Sequence, residues 1–179
     1  MLFKNGLQYN PKSCYCLTKY HPYRIMGEIN PAFRDSGSGL ILDLKEDKPQ
    51  AIDYFYKKLN DFLPEEAFTI CRVPSSDPEK MESGITTIAR RLAAKHGRID
   101  GTLCLVRVKK ISKLAHGGLR GENVHLESIL IVNKELIEGK NIILLDDVLT
   151  TGNSLKACKK ILFEAGARKV QAVAIARTI

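Results

Sequence analysis

Residues 142–154 of the chain read IILLDDVLTTGNS. The first four residues are aliphatic, which is typical of a β-strand buried on both faces. Asp146 and Asp147 follow at the carboxyl end of this strand, and the polar turn 150–154 leads into a helix predicted over about residues 154–165. Free N–H groups at a helix N-terminus, with hydroxyl groups and a glycine beside them, suit a phosphate. The segment therefore predicts an anion site next to a carboxylate pair, which could accept hydrogen bonds from vicinal hydroxyls or hold Mg2+.

Two other interpretations of this segment are possible. Its Thr, Asn and Ser side chains could merely cap the helix. A strand that ends in acids also resembles the Mg2+-binding acid of a P-loop nucleoside triphosphatase, but the required pattern G-x-x-x-x-G-K-[ST] does not occur in the sequence. Capping alone does not account for two adjacent acids at the end of an apolar strand. We therefore favour the phosphate site.

Short apolar segments alternate with helical patterns on the N-terminal side of this motif and beyond it. Strands are predicted at 68–73, 102–108, 128–132, 141–146 and 169–176, with helices at 52–62 and 85–93. This alternation predicts an α/β fold with an open, doubly wound parallel sheet. Ligands of such sheets bind beyond the carboxyl ends of the strands, which directs attention to the loops after Val73, Val108 and Leu145.

The composition is that of one globular domain. The chain has 179 residues, 44% apolar and 27% charged, which excludes a disordered tail, a collagen-like fibre and a membrane-spanning protein. The net charge of +8 suggests a polyanionic partner, either nucleic acid, an anionic membrane or a phosphorylated small molecule. The first residues contain no apolar signal region, so we expect a cytoplasmic protein.

The five cysteines indicate a reducing compartment, because their number is odd and their positions are scattered. Cys71, Cys104 and Cys158 lie in apolar patterns and are expected to behave as small buried hydrophobes. Cys14 and Cys16, with His21 nearby, could begin a zinc site. The spacing C-x-C differs from the usual C-x2-C, and no second cysteine pair follows at normal distance.

The segment LLDDVLTTGNS resembles the ribose-phosphate signature of type I phosphoribosyltransferases. CRVPSS at 71–76 resembles their pyrophosphate-side loop. RGEN at 120–123 and the run from 164 to 178 resemble the competence-protein-F branch, which is similar to the amidophosphoribosyltransferases. Together these segments span about residues 68–178.

The resemblance implies a Mg2+-dependent transfer of 5-phosphoribosyl from phosphoribosyl pyrophosphate to a nitrogenous acceptor. Asp146 and Asp147 would hold the ribose hydroxyls, directly or through Mg2+. The 5-phosphate would be bound by the turn residues Thr150, Thr151, Gly152, Asn153 and Ser154. The pyrophosphate would lie beside Ser75 and Ser76.

A basic loop would stabilise the leaving pyrophosphate and exclude water. The span from 107 to 123 contains five basic side chains and one acidic side chain. We expect Arg107, Lys109 and Arg120 to bind substrate, and Lys113 and His116 to act in catalysis. The alternative for this span is a solvated basic loop without a catalytic role.

Three positions depart from the family pattern. Thr150 stands where purine-salvage members have an Asp, which makes a purine-salvage enzyme less favoured. Ser83 and Gly84 replace an Arg-Gly pair that contacts pyrophosphate. Only Cys14 and Cys16 remain of the paired C-x2-C motifs of a zinc ribbon.

We expect residues 1–45 to form a small N-terminal hood on the acceptor side and residues 46–179 to form the phosphoribosyltransferase core. The partners are expected to be phosphoribosyl pyrophosphate and a small acceptor, and a homodimer is compatible with the family. Neither a membrane nor direct nucleic-acid binding is expected, because no helix-turn-helix, zinc finger or RNA-binding signature appears. The alternative is a non-catalytic protein that binds phosphoribosyl pyrophosphate or a nucleotide, associated with regulation or DNA uptake.

Overall fold

The computed structural model describes residues 9–10, 12–35, 37–111 and 122–179. Helices and strands alternate along most of these residues. Their order is β1 (Cys14–Tyr20), β2 (Arg24–Ile25), β3 (Glu28–Ile29), α1 (Ala32–Asp35), α2 (Ser38–Lys45), α3 (Pro49–Phe62), β4 (Thr69–Arg72), α4 (Gly84–Ala93), β5 (Ile99–Asp100), β6 (Leu105–Arg107), α5 (Glu122–Leu126), β7 (Ile129–Ile131), a 3-10 turn (Lys134–Leu136), β8 (Asn141–Leu149), α6 (Asn153–Glu164) and β9 (Lys169–Thr178).

A parallel five-stranded sheet forms the centre of the fold, with the strand order β1-β9-β8-β4-β5. All four neighbouring pairs in it are parallel. Helices connect successive strands, as parallel pairing requires. The predicted α/β fold with an open, doubly wound parallel sheet is therefore confirmed. The helices within the described residues include none long and apolar enough to span a membrane.

Each face of the sheet is covered by its own apolar cluster, because successive side chains of a strand point to opposite faces. Helices α2, α3 and α4 pack on one face, where they meet Ile143 and Leu145 of β8. Helix α6 and the β6–β7 pair pack on the other face, against Ile142 and Leu144. Burial of β8 on both faces explains its unbroken aliphatic run.

The strands predicted at 102–108 and 128–132 both exist, but they lie outside the central sheet. They shorten to β6 and β7 and pair antiparallel with each other, with Leu105 opposite Ile131. Leu130 is exposed although it is part of an apolar run. A short apolar run does not show which strand it pairs with. The alternation of strands and helices predicted one parallel sheet, and this prediction is wrong for β6 and β7.

Strand β1 extends the central sheet from within the segment predicted as the hood. It pairs with β9 along its length, from Cys14 opposite Ala172 to Tyr20 opposite Thr178. The two-residue strands β2 and β3 form a separate antiparallel pair. The division of the chain at residues 45 and 46 stays a prediction.

Cys71, Cys104 and Cys158 are buried free thiols in the cluster beneath α6. They occupy the positions of small hydrophobes, as predicted. Burial raises the pKa of the Cys158 thiol far above its ordinary value, which keeps this thiol protonated. Cys14 and Cys16 are also free and are half-buried.

Candidate functional site

A cleft of about 420 Å³ opens at the carboxyl edge of the central sheet. The loop after β4 and the end of β8 meet there, held together by the hydrogen bond from Val73 N to Leu145 O, 2.8 Å long. The predicted site residues that line the cleft are Asp146, Asp147, Ser75, Ser76, Arg107 and Ser154. The fold thus brings side chains separated by about eighty residues in the sequence to one cavity.

The acid pair lies at the end of the buried part of β8. Asp146 Oδ1 accepts a hydrogen bond of 2.9 Å from the N–H of Asp147, and Asp147 Oδ1 accepts one of 2.7 Å from the N–H of Val148. Burial and the neighbouring Asp147 carboxylate raise the pKa of Asp146 well above its ordinary value. On the other side of the pair, Lys45 Nζ lies 3.0 Å from Asp147 Oδ2. The two carboxylates therefore have different surroundings despite being adjacent.

The turn between β8 and α6 borders two cavities rather than one. Gly152 caps α6 in the left-handed conformation, with φ of 78°, a region that glycine enters without strain. Ser154 lines the cleft. Thr150, Thr151 and Gly152 line a second cavity of about 530 Å³. Asn153 begins α6. The predicted phosphate loop therefore presents one side chain to the acid pair and three residues to a neighbouring cavity.

The loop that carries Ser75 and Ser76 is fixed by polar contacts. The N–H of Asp77 donates to Ser75 Oγ over 3.2 Å. The N–H of Ile111 donates to Ser76 O over 3.0 Å, and Lys110 Nζ lies 2.5 Å from Asp77 Oδ2. The start of the basic span is thereby attached to the loop predicted to bind pyrophosphate.

Arg107 is buried, with 5% of its surface exposed, and connects β6 with this loop. Its guanidinium donates to Ser75 O over 2.9 Å and to Ser128 Oγ over 2.6 Å. A longer contact of 3.4 Å joins it to Pro74 O. A guanidinium suits this position because it offers several donors in a rigid fork. Arg107 thus positions the Ser75 loop, and a direct contact with substrate stays a prediction.

The basic span contains four other predicted site residues, of which the structure describes only Lys109. Lys109 is exposed and is not among the side chains that line the cleft. Lys113, His116 and Arg120 lie outside the described residues, and so does most of the loop that contains them.

The cleft also contains charged and polar side chains that the sequence analysis does not single out, among them Arg72, His125 and Lys45. Arg72, at the end of β4, is buried and donates to Met81 O over 2.9 Å, while its Nε has no hydrogen-bond partner. His125 places Nε2 3.3 Å from Ser154 Oγ and Nδ1 3.5 Å from the Arg107 guanidinium. Lys45 comes from α2. Arg72 lies inside the CRVPSS segment, whereas no motif in the sequence marks His125 or Lys45.

Ser83 and Gly84 also line the cleft, and packing explains the glycine. A Cβ atom built on Gly84 would lie 2.6 Å from Leu44 Cδ1 and 2.6 Å from Leu44 O. The N–H of Gly84 donates to Asp47 Oδ1, and Ser83 caps α4 by accepting from the N–H of Thr86 over 3.4 Å. These contacts join α4 to α2, the helix that carries Lys45.

The acid pair offers the type of ligand that Mg2+ binds. Mg2+ prefers oxygen ligands and usually takes one or two carboxylates together with substrate phosphates and water. Among the described residues, no group of three or more His, Cys, Asp or Glu side chains is arranged to hold a metal ion. The two carboxylates of Asp146 and Asp147 match the number of protein ligands that such a Mg2+ site uses.

The phosphoribosyl transferase domain family matches residues 83–178, more than half of the chain. The chain belongs to this family. The matched range contains the acid pair, the turn before α6 and His125, and it begins after Ser75 and Ser76. The resemblance to the competence-protein-F branch stays a prediction.

Three solved structures are similar to this phosphoribosyl transferase domain. A phosphoribosylpyrophosphate synthetase from Mycobacterium smegmatis is 19% identical, with a TM-score of 0.38 over 72% of this chain and 32% of the synthetase. The chain therefore spans about a third of that protein's length. A hypoxanthine phosphoribosyltransferase from Staphylococcus aureus is 15% identical, with a TM-score of 0.38 over 85% of this chain and 83% of the other. A glutamic acid mutant from a study of an invariant aspartic acid in HPRTs is 13% identical, with a TM-score of 0.37 over 78% of this chain and 76% of the other. No curated protein matches the chain.

Proposed function

We propose that the protein transfers the 5-phosphoribosyl group of phosphoribosyl pyrophosphate to a small nitrogenous acceptor and releases pyrophosphate. The observation that carries the proposal is the cleft itself. In a member of the phosphoribosyl transferase domain family, it brings the acid pair and Ser154 together with the Ser75–Ser76 loop. These two sets of polar groups suit the two ends of a phosphorylated sugar diphosphate.

In the proposed reaction the acceptor nitrogen forms a bond to the anomeric carbon. The bond from that carbon to the pyrophosphate oxygen breaks, and pyrophosphate leaves with the electron pair. The nitrogen releases its proton to solvent water. The transition state has oxocarbenium character, so cationic groups near the leaving pyrophosphate lower the barrier.

The chain's own residues divide these tasks. Asp146 and Asp147 would accept hydrogen bonds from the ribose hydroxyls and hold Mg2+, which when bound neutralises part of the pyrophosphate charge. Ser154 and its turn would hold the 5-phosphate, and Ser75 and Ser76 would contact the pyrophosphate. Two further groups of residues belong to the proposal, namely Lys109 and Arg120 as substrate ligands, and Lys113 and His116 as catalytic groups of the basic span.

Binding is tested by thermal unfolding with phosphoribosyl pyrophosphate and Mg2+. A ligand at one hundred times its Kd stabilises the folded state by about 2.7 kcal/mol, which is a shift of several degrees for a domain of this size. The double variant Asp146→Asn/Asp147→Asn should lose this shift. Asp61→Asn/Glu66→Gln is the matched control, because it removes two exposed acids elsewhere and should keep the shift. An undiminished shift in the first variant would disprove the site.

Turnover is tested separately, by screening nitrogenous bases for pyrophosphate release. Release of pyrophosphate with one base and not with others would identify the acceptor. The sequence does not identify it. Protection without release for every base would favour the alternative, a protein that binds phosphoribosyl pyrophosphate or a nucleotide and regulates another process. A cytoplasmic location suits either function, since the proposed ligand is a metabolite.

A further inference from the structure

His125 lies between two parts of the cleft that come from distant segments of the chain. It belongs to the short helix α5, lines the cleft and exposes only 4% of its surface. Its Nε2 lies 3.3 Å from Ser154 Oγ at the start of α6, and its Nδ1 lies 3.5 Å from Nη2 of Arg107. Arg107 in turn donates through Nε to Ser75 O over 2.9 Å. One imidazole ring therefore connects the first turn of α6 with the loop after β4.

The partner of Nδ1 determines which nitrogen of the ring carries the proton. A guanidinium has five N–H donors and no acceptor, and it is always charged. Nδ1 can therefore take part in the hydrogen bond with Arg107 only as an acceptor, which requires that it carry no proton. A neutral imidazole with an unprotonated Nδ1 carries its proton on Nε2. The contact with Arg107 thus selects one of the two neutral tautomers and disfavours the imidazolium ion.

The tautomer of His125 determines what the Ser154 hydroxyl can do. With the proton on Nε2, the ring donates to Ser154 Oγ. A hydroxyl has one proton and two lone pairs, so a hydroxyl that accepts from His125 keeps its own proton for another partner. Ser154 lines the same cleft as the acid pair. In the other tautomer the ring would accept the serine proton, and the hydroxyl would present only lone pairs, which repel an anionic ligand.

The helix that carries His125 is held in place by contacts within the protein. Ser128 Oγ accepts from Arg107 over 2.6 Å and donates to Val124 O over 2.7 Å. The N–H of Ser128 donates to His125 O over 3.2 Å, and α5 packs against α6. These contacts fix the backbone of His125 relative to both of its side-chain partners, so the ring is in position before any ligand binds.

We propose that His125 is a positioning residue that, as the Nε2–H tautomer, orients the Ser154 hydroxyl to donate to the sugar diphosphate in the cleft. This inference rests on the proposed function, because that function supplies the ligand. His125 keeps its proton in this role and does not need to touch the substrate itself. Its role therefore differs from the catalytic role proposed for His116, and its loss should weaken ligand binding.

The tautomer is measured in the ligand-free protein by NMR of the imidazole nitrogens, after the histidines are labelled with 15N. Near neutral pH, His125 should show a protonated Nε2 and an unprotonated Nδ1. Ser154→Ala removes the partner of Nε2 and so identifies the resonances of His125 among the four histidines of the chain. This measurement needs no substitution at the buried position 125.

The effect on the ligand is measured as the Kd of phosphoribosyl pyrophosphate with Mg2+, by isothermal titration calorimetry on the full chain. Asparagine can accept from Arg107 in place of Nδ1 but is too short to reach Ser154, whereas glutamine can place an amide donor near the position of Nε2. His125→Asn should raise the Kd about tenfold, the loss of one hydrogen bond to a charged ligand. His125→Gln should raise it less than about threefold. His96→Asn is the control, since His96 is exposed and has a φ of 58°, which asparagine adopts readily.

A double variant tests whether His125 acts through Ser154. Ser154→Ala should also raise the Kd about tenfold, and His125→Asn/Ser154→Ala should raise it about tenfold rather than about a hundredfold, because both changes remove the same hydrogen bond. If His125 served only packing, the asparagine and glutamine variants would raise the Kd alike, and the effects of the two sites would multiply.

Several results would overturn the proposal. They are a protonated Nδ1 in the free protein, equal Kd values for His125→Asn and wild type, equal losses in the asparagine and glutamine variants, and multiplied effects in the double variant. Absence of binding to the wild type would refute the proposed function and with it the ligand-binding role of Ser154. The imidazole spectrum of the free protein distinguishes the two failures, because it tests the contact between His125 and Ser154 without a ligand.

Discussion

Lys45 Nζ lies 3.0 Å from Asp147 Oδ2 and so connects the last residue of α2 with the acid pair at the end of β8. Lys45 belongs to the segment predicted to form the hood. Both side chains are partly exposed, with fractions of 43% for Lys45 and 32% for Asp147, so that the pair itself stabilises the fold by no more than about 1 kcal/mol. Its importance is local, because the ammonium group contacts one oxygen of a carboxylate that we propose holds Mg2+.

Replacement of Lys45 should therefore change the Mg2+ dependence of ligand binding more than it changes the stability of the fold. In Lys45→Gln, Asp147 loses a competing cation, and the Mg2+ concentration that gives half-maximal protection by phosphoribosyl pyrophosphate should fall about threefold. The Tm without ligand should hardly change. Thermal unfolding over a Mg2+ series measures both. Lys48→Gln is the control, since it breaks an exposed ion pair with Asp43; a higher Mg2+ requirement in Lys45→Gln would show that Lys45 binds substrate instead.

Gly84 is required by the close approach of α2 and α4. Because a Cβ atom would overlap Leu44, Gly84→Ala should lower the free energy of unfolding by about 1–3 kcal/mol. Urea unfolding measures the loss. Gly39→Ala is the matched control, since nothing lies within 4 Å of a Cβ at this helical position, and alanine there should be neutral or stabilise by up to about 1 kcal/mol. Similar values for the two variants would contradict this account of Gly84.

The features predicted best from the sequence are those that neighbouring residues determine. Strand β8, the turn after it and α6 occupy one continuous segment, where an aliphatic run, two acids and a glycine cap each favour the observed local structure. The observed bounds differ from the prediction by three residues at the end of β8 and by about one at α6. Strand β4 and its loop were found in the same way, since Pro74 and Pro78 interrupt the chain after an apolar run.

The features that the sequence did not reveal depend on pairs of distant residues. Tertiary packing determines that β6 pairs with β7 and that β1 pairs with β9. Lys45 reaches Asp147 because α2 packs near α4.

Arg107 should contribute to stability even without ligand, because it holds the Ser75 loop. Arg107→Met leaves Ser75 O and Ser128 Oγ without this donor, so the free energy of unfolding should fall by about 2–4 kcal/mol. Arg107→Lys keeps the charge but not the fork of donors, and should still lose about 1–3 kcal/mol. Urea unfolding in the absence of ligand is the measurement. Arg168→Lys, at an exposed arginine, is the control and should change the free energy of unfolding by no more than about 0.5 kcal/mol. Equal stability of Arg107→Lys and wild type would mean that a positive charge alone suffices at position 107.

Cys16 should be the most reactive thiol among the five cysteines, with a characteristic dependence on pH. A hydrogen bond from Cys14 and the nearby Arg177 guanidinium lower the pKa of Cys16 to about 6, whereas an ordinary cysteine has a pKa of about 8.5. The thiolate is the nucleophile, so the rate of alkylation at Cys16 should rise with pH, reach half its maximum near pH 6 and level off above pH 7. Rates resolved by site with mass spectrometry test this expectation, with buried Cys158 as the unreactive control. In Arg177→Gln the half-point should move toward higher pH, because the thiolate loses a positive neighbour; an unchanged half-point would show that Arg177 has no part in activating the thiol.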